Sequence, residues 1–190
     1  GAHGILILSP RAVQRLEAFP PVIAMPKVFT IMKKGKLNEE IFAGATINTP
    51  SMLCIEDALD SLNWMISEGG LHAMIARSQK SLSEIQSWIA ASSRYSFLAE
   101  NSKTISSTSV CLKFKGTIYQ SLTPTAQAQF AKDVAALLEK EGAAYDIGSY
   151  RDAPPGLRIW CGATIDPINV KALLPWLDWA YDEIARSLKN

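Results

Sequence analysis

The sequence predicts an α/β fold, on three observations. From about residue 110 to residue 184 the apolar patterns run strand, helix, strand, strand, helix, an order that makes a compact layer of helices on a small sheet. Ahead of these lie two longer apolar stripes at helical spacing. The 190 residues are 48% hydrophobic and 19% charged, which is the balance of a globular chain long enough to bury a core in one or two domains.

Taken in order, Ile5-Leu6-Ile7-Leu8 reads as a buried strand placed almost at the first residue, so the chain is expected to begin inside a larger domain. Ser9-Pro10 followed by Ala12, Val13 and Leu16 predicts a short helix with proline in its first turn. Pro20, Pro21 and Pro26 then enforce an extended path. Lys33-Lys34-Gly35-Lys36 is a solvated turn by composition; it lacks the full glycine-rich pattern of a phosphate loop.

Asn48-Thr49-Pro50-Ser51 precedes an apolar stripe of Leu53, Cys54, Ala58, Leu59, Leu62 and Met65. Thr49 is placed to cap this helix with Pro50 at its first position, and Gly69-Gly70 to end it. A second helix is expected from about Leu71 to Ala91, with Ile75, Leu82, Ile85 and Ile89 on one face. Val110 to Phe114 reads as a strand, and Thr123-Pro124 opens a helix with Phe130, Val134, Leu137 and Leu138 inward, closed by Gly142. Two more strands are expected at Ala144 to Gly148 and Leu157 to Cys161, joined by the turn Asp152-Ala153-Pro154-Pro155-Gly156. Asp166-Pro167 starts a last helix in which Val170, Leu173, Leu174, Leu177, Ala180, Tyr181 and Ile184 keep the 3, 4, 7 spacing.

The 19 basic and 18 acidic residues nearly cancel, so no general attraction to nucleic acid or an anionic membrane is implied and any anion site is local. No apolar run approaches the ~20 residues of a membrane span, and the first residues lack a signal-peptide pattern; a soluble, cytoplasmic protein is expected. Cys54, Cys111 and Cys161 are too widely spaced, and His3 and His72 too isolated, for a disulfide framework, a metal site or a catalytic triad.

Two constellations can bind an anion. The start of the helix after Asn48-Thr49-Pro50-Ser51 gathers unpaired amides and the positive end of the helix dipole, and the side chains there add donors for a phosphate; an ordinary N-cap explains the same spacing. Arg151 and Arg158 flank a Pro-Pro-Gly turn that can fold them toward one pocket, where guanidinium forks suit carboxylate or phosphate oxygens; solvated arginines explain that pair equally. Arg158 is the better candidate, because Gly156-Leu157-Arg158-Ile159-Trp160 reads as a buried strand and a charge within it needs a partner.

Three segments carry a resemblance: residues 2–11, residues 46–52 and residues 150–163. With them the chain resembles the phosphoserine aminotransferases, class V members of the fold-type I pyridoxal-phosphate enzymes. The resemblance implies the C-terminal portion of the large cofactor-binding domain at residues 1–75, a connecting helix and linker at 76–107, and the small C-terminal α/β domain at 108–190. It also implies amino transfer between glutamate and 3-phosphohydroxypyruvate in serine and pyridoxine biosynthesis, by a cytoplasmic homodimer using pyridoxal 5'-phosphate. By the same carry-over Asn48 and Thr49 reach the cofactor phosphate of the partner subunit, Arg158 holds the substrate α-carboxylate, and Arg151 helps bind the substrate phosphate.

The family's Schiff-base lysine, the aromatic residue stacked on the cofactor ring and the aspartate on its nitrogen have no counterpart in these 190 residues. This chain alone is therefore expected to be inactive. Two other readings compete: a non-catalytic α/β module that binds a small anion or a protein, and another class V aminotransferase of the alanine–glyoxylate or serine–pyruvate type, which would not need Arg151.

Overall fold

A computed structural model of the chain describes residues 6–19, 22–23, 26, 31–46 and 49–188. Two compact units divide it, residues 1–64 and 65–190.

In the first unit, α1 (Pro10–Ala18) starts as its sequence requires: the Ser9 side chain accepts from the Ala12 amide at 3.2 Å and Pro10 occupies the first turn. A two-residue hairpin follows, β1 (Met32–Lys33) and β2 (Lys36–Leu37), paired antiparallel. Its turn places Lys34 and Gly35 at φ +53° and +78°, the left-handed geometry that a two-residue hairpin demands. Lys33 forms an exposed ion pair with Glu40 at 3.1 Å.

The expected strand at the start of the chain is corrected. Gly4 and Ile5 lie outside the described residues, and residues 6–9 are irregular with Leu6 and Ile7 exposed. An extended segment becomes a strand only by pairing its amides and carbonyls with a neighbour, and no described strand pairs with this one. The prolines at 20 and 21 also lie outside the described residues. Helix α2 (Met52–Ser67) forms, but its first helical bond runs from the Ile55 amide to the Ser51 carbonyl, so Thr49 and Pro50 lead into the helix instead of capping it. Met52, Leu53, Leu59, Leu62 and Ile66 of its apolar side are exposed.

Residue Gly69, at φ +106°, turns the chain into α3 (Gly70–Ala91). Met74, Ser78, Ser81 and Ile85 make its buried stripe, while Ile75, expected inward, is exposed. Three antiparallel strands form the sheet of the second unit in the order β3 (Tyr95–Phe97), β4 (Ser109–Phe114), β5 (Gly156–Trp160). The sequence patterns did not signal β3, which is only three residues long. A single turn, α4 (Thr117–Gln120), leads to α5 (Pro124–Lys140), capped by the Thr123 side chain, and α6 (Pro167–Ser187) closes the unit.

Residues 144–148, expected as a strand, make one isolated bridge, between Gly148 and Leu157. Asp146 at φ +51° explains it, since a left-handed residue breaks the pleat that a ladder needs.

Alternation along β4 and β5 builds the core. Val110, Leu112, Phe114, Leu157 and Ile159 point to one face of the sheet, and Phe130, Val134 and Leu138 of α5 and Val170, Leu174, Leu177 and Tyr181 of α6 are buried in the same cluster. Among the aromatic rings, Phe114 lies 5.3 Å from Tyr95, 5.3 Å from Phe130 and 6.1 Å from Tyr181. The buried Tyr95 hydroxyl donates to the Leu177 carbonyl at 2.7 Å. Next to it Arg94 holds Asp182 with two bonds of 2.7 and 2.6 Å, which push the arginine pKa further up, and Trp88 donates to Asp178 at 2.8 Å. These bonds fasten α6 to the start of β3 and to α3.

Burial, with Asp178 next, pushes the Tyr95 phenol well above its ordinary pKa of 10.0, and burial raises Tyr119 and Tyr181 as well. Each proton is thus held more tightly in the folded chain. The linked stability is present in full below pH 10 and is lost as pH rises through the folded-state values. Urea titrations should therefore show a stability that drops above about pH 10, and Tyr95→Phe, at a cost of about 1 kcal/mol from the lost hydrogen bond, should make the drop shallower.

Candidate functional site

Strand β5 decides where Arg158 goes. With Leu157 and Ile159 committed to the core, Arg158 points to the opposite face of the sheet, where its register partner on β4 is Cys111. The register is fixed at the first residue of β5: a β-carbon on Gly156 would run into the Leu112 carbonyl, so only glycine lets the two strands approach there. At the other end the Cys161 amide bonds the Thr108 carbonyl at 2.6 Å, and burial pushes the Cys161 thiol up to about 11. Cys161 is thus an inert core thiol.

The segment 146–153 runs alongside β5 and surrounds the arginine. The Arg158 amide donates to the Ile147 carbonyl at 2.8 Å, tying this segment to the strand. The Arg158 side chain is 14% exposed. Its Nη2 donates to both acceptors of one residue, the Asp146 carboxylate at 2.9 Å and the Asp146 carbonyl at 3.2 Å. Its guanidinium lies over the Tyr150 ring at 4.5 Å from the centroid, a cation–π contact. The buried Nε has no hydrogen-bond partner among the described residues. A buried donor left unpaired costs stability, and no described residue supplies an acceptor for this one.

Arg151 is exposed in the turn that follows Tyr150. It lines a cavity of about 400 Å³ together with Lys132 and the small side chains of Ala128, Ala131 and Ala135 on α5. Arg158 lines a different cavity of about 290 Å³, walled by Tyr145, Trp160, Asn169 and Leu173, and a crevice of about 20 Å³ beside Tyr150. The two arginines thus face neighbouring cavities, with Asp146 and Ile147 common to the two larger ones and Tyr150 bordering both the cavity of Arg151 and the crevice of Arg158. The single pocket expected from the Pro-Pro-Gly turn is divided by this segment.

The other sequence candidates belong to the first unit. Thr49 is exposed in the stretch that enters α2, and Asn48 lies outside the described residues. Sequence reasoning missed Asp146. The signal was present: an aspartate in the middle of a short apolar run is poorly suited to a strand and tolerates the left-handed region. Among the described residues no group of three or more histidine, cysteine or carboxylate side chains is gathered to hold a metal ion, and no helix is long and apolar enough to cross a membrane.

Substituting Gly156→Ala should force β5 away from β4 and lower stability by about 1–3 kcal/mol, read from chemical denaturation. A cost below about 0.5 kcal/mol would show that the strands can part without penalty.

Comparison with known proteins bears out the resemblance read from the sequence. No family model matches the chain. It is 50% identical over 182 residues to the phosphoserine aminotransferase of Methanosarcina mazei, and 50% identical over 182 residues to that of Methanosarcina barkeri, each match covering 96% of this chain and 46% of the relative. The phosphoserine aminotransferase of a Nocardioides species is 30% identical over 192 residues. The chain thus spans about half the length of the curated relatives it matches. A solved phosphoserine aminotransferase from Bacillus circulans subsp. alkalophilus superposes with a TM-score of 0.59 at 20% identity, over 72% of this chain and 34% of that one, which supports the α/β fold.

Proposed function

We propose that this chain forms part of a phosphoserine transaminase, which moves an amino group from glutamate to 3-phosphohydroxypyruvate and yields O-phosphoserine and 2-oxoglutarate in serine and pyridoxine biosynthesis. The observation that carries the reading is Arg158: a nearly buried guanidinium on the non-core face of the sheet, with an orphaned Nε and a cavity beside it. The relatives' shared name supports the same reading, as does the 50% identity over nearly the whole chain.

In this reading Arg158 grips the substrate α-carboxylate. The β5 ladder and the Tyr150 ring hold the planar group, so its donors are oriented before substrate arrives and little side-chain entropy is lost on binding. Arg151, one turn away and exposed to the larger cavity, takes the phosphate of the phosphorylated substrate with Lys132 nearby. Arg151 then discriminates between substrates by charge: a phosphate dianion is a stronger partner for its guanidinium than the single charge of the glutamate side-chain carboxylate.

The cofactor of this reaction is pyridoxal 5'-phosphate, which when bound would supply the carbonyl that carries the amino group between the two substrates. Thr49 is the candidate for its phosphate, because an exposed hydroxyl three residues ahead of Met52, where α2 begins, can donate to a phosphate oxygen placed at the helix start. Asn48 would add a second donor. In a cytoplasmic homodimer these two residues would serve the cofactor of the partner subunit. Among the described residues this reading assigns no further cofactor contact, and the family's lysine and ring-binding residues have no counterpart in these 190 residues.

In the full-length enzyme, Arg151→Ala should lower kcat/KM for the phosphorylated substrate about 10–100-fold more than for glutamate, as expected for a lost charge-assisted hydrogen bond. Arg158→Lys should reduce kcat/KM for both substrates by a similar factor, since lysine supplies the charge without the fork. Equal losses for both substrates in Arg151→Ala would overturn the phosphoserine assignment, and failure of the full-length protein to transaminate 3-phosphohydroxypyruvate would overturn the function.

A further inference from the structure

We infer that Asp146 is a resident carboxylate in the anion site: its side chain occupies Arg158 when no substrate is bound and yields to the substrate carboxylate, while its backbone carbonyl keeps the guanidinium in place. This rests on the reading of Arg158 as the carboxylate-binding residue.

The two acceptors of Asp146 differ in what holds them. Its carbonyl belongs to a backbone fixed immediately after it, where the Arg158 amide bonds the Ile147 carbonyl at the bridge between Gly148 and Leu157. The carboxylate has no such restraint. Its side chain is 92% exposed, and Arg158 is its only hydrogen-bond partner among the described residues. Turning that side chain outward breaks one bond and moves the charge into water, where it is fully solvated. The carbonyl, 3.2 Å from Nη2, stays behind. Arg158 then regains a donor on Nη2 beside the unpaired Nε, and these two atoms form one edge of the guanidinium, the edge that matches the two oxygens of a carboxylate.

The backbone at Asp146 supports the same reading. At φ +51° it is one of two non-glycine residues with positive φ among those described, the other being Lys34 in the hairpin turn. The left-handed turn aims both the carbonyl and the side chain of a single residue at the same nitrogen. Asparagine and aspartate accept this conformation most readily of the non-glycine residues, which leaves a substitution that changes the charge alone.

Electrostatics gives the sign of the effect. Arg158 and Asp146 together are neutral, so an arriving carboxylate meets a site whose attraction is partly cancelled and must displace a like charge. Removing the Asp146 charge leaves the cation uncompensated and should tighten carboxylate binding. Because the aspartate is exposed and screened, the gain is modest, about two- to fivefold. Asp146 is in these terms a specificity-determining residue that lowers affinity for carboxylates and speeds their release. Exchange of one carboxylate for another on the same arginine is what a transaminase requires twice in each cycle.

The test is Asp146→Asn in the full-length holoenzyme, with Asp146→Gly as a second variant compatible with the left-handed backbone. Expected are a two- to fivefold lower KM for glutamate and an equally lower inhibition constant for maleate, an unreactive dicarboxylate, with thermal midpoints unchanged and the gain shrinking at high salt. An unchanged or raised maleate constant in both variants would overturn the inference. The same measurements in Arg158→Ala separate the two ideas: maleate binding should weaken at least tenfold there, and adding Asp146→Asn should then have no effect. If Arg158→Ala leaves maleate binding intact, the reading of Arg158 itself fails.

Discussion

The register between β4 and β5 is the constraint on which the second unit depends. Side chains alternate along a strand, so a slip of one residue would send Leu157 and Ile159 to the outer face and drive Arg158 into an apolar core. Neither outcome is tolerable: one exposes two core residues, the other buries a cation without a counter-charge. The register is enforced from both ends, by the glycine that fits under the Leu112 carbonyl and by the 2.6 Å bond between Cys161 and Thr108. The buried rings of Tyr95, Phe114, Phe130 and Tyr181 then fill the space between sheet and helices, and the Arg94–Asp182 fork keeps α6 against them.

The same register leaves a structural requirement only partly met. A charged residue on a central position of β5 has to be satisfied on the non-core face, and the chain does so only in part. Tyr150 covers the guanidinium face, Asp146 saturates one nitrogen, and Nε has no partner among the described residues. A fully paired arginine would be a structural ion pair and of little use to a ligand; a fully solvated one would bind weakly. The intermediate state, oriented but incompletely paired, is what the proposed carboxylate site would use to hold and release a small acid.

The second unit buries a core around its sheet, whereas in the first the apolar side of α2 exposes Met52, Leu53, Leu59 and Leu62. Helical spacing in the sequence predicted the helix correctly and was silent on what covers it, because amphipathic periodicity reports that a face is apolar and not which partner buries it.

Local chemistry was legible in the sequence. Ser9-Pro10, Thr123-Pro124 and Gly69 punctuate helices because a cap or a left-handed residue acts within three or four positions, and the alternation at Val110 to Phe114 identifies a strand without reference to its neighbours. The resemblance carried by residues 150–163 likewise singled out Arg158 before any fold was known. Tertiary structure alone decided the rest. Whether residues 6–8 or 144–148 become strands depends on hydrogen-bond partners distant in sequence, and β3 is too short to announce itself. The pairing of Arg158 with an aspartate twelve residues earlier, and the division of its pocket from that of Arg151, arise from a left-handed turn at Asp146 that local pattern does not fix. Sequence determines which groups need partners; only the folded chain determines which of those needs are left for a ligand to meet.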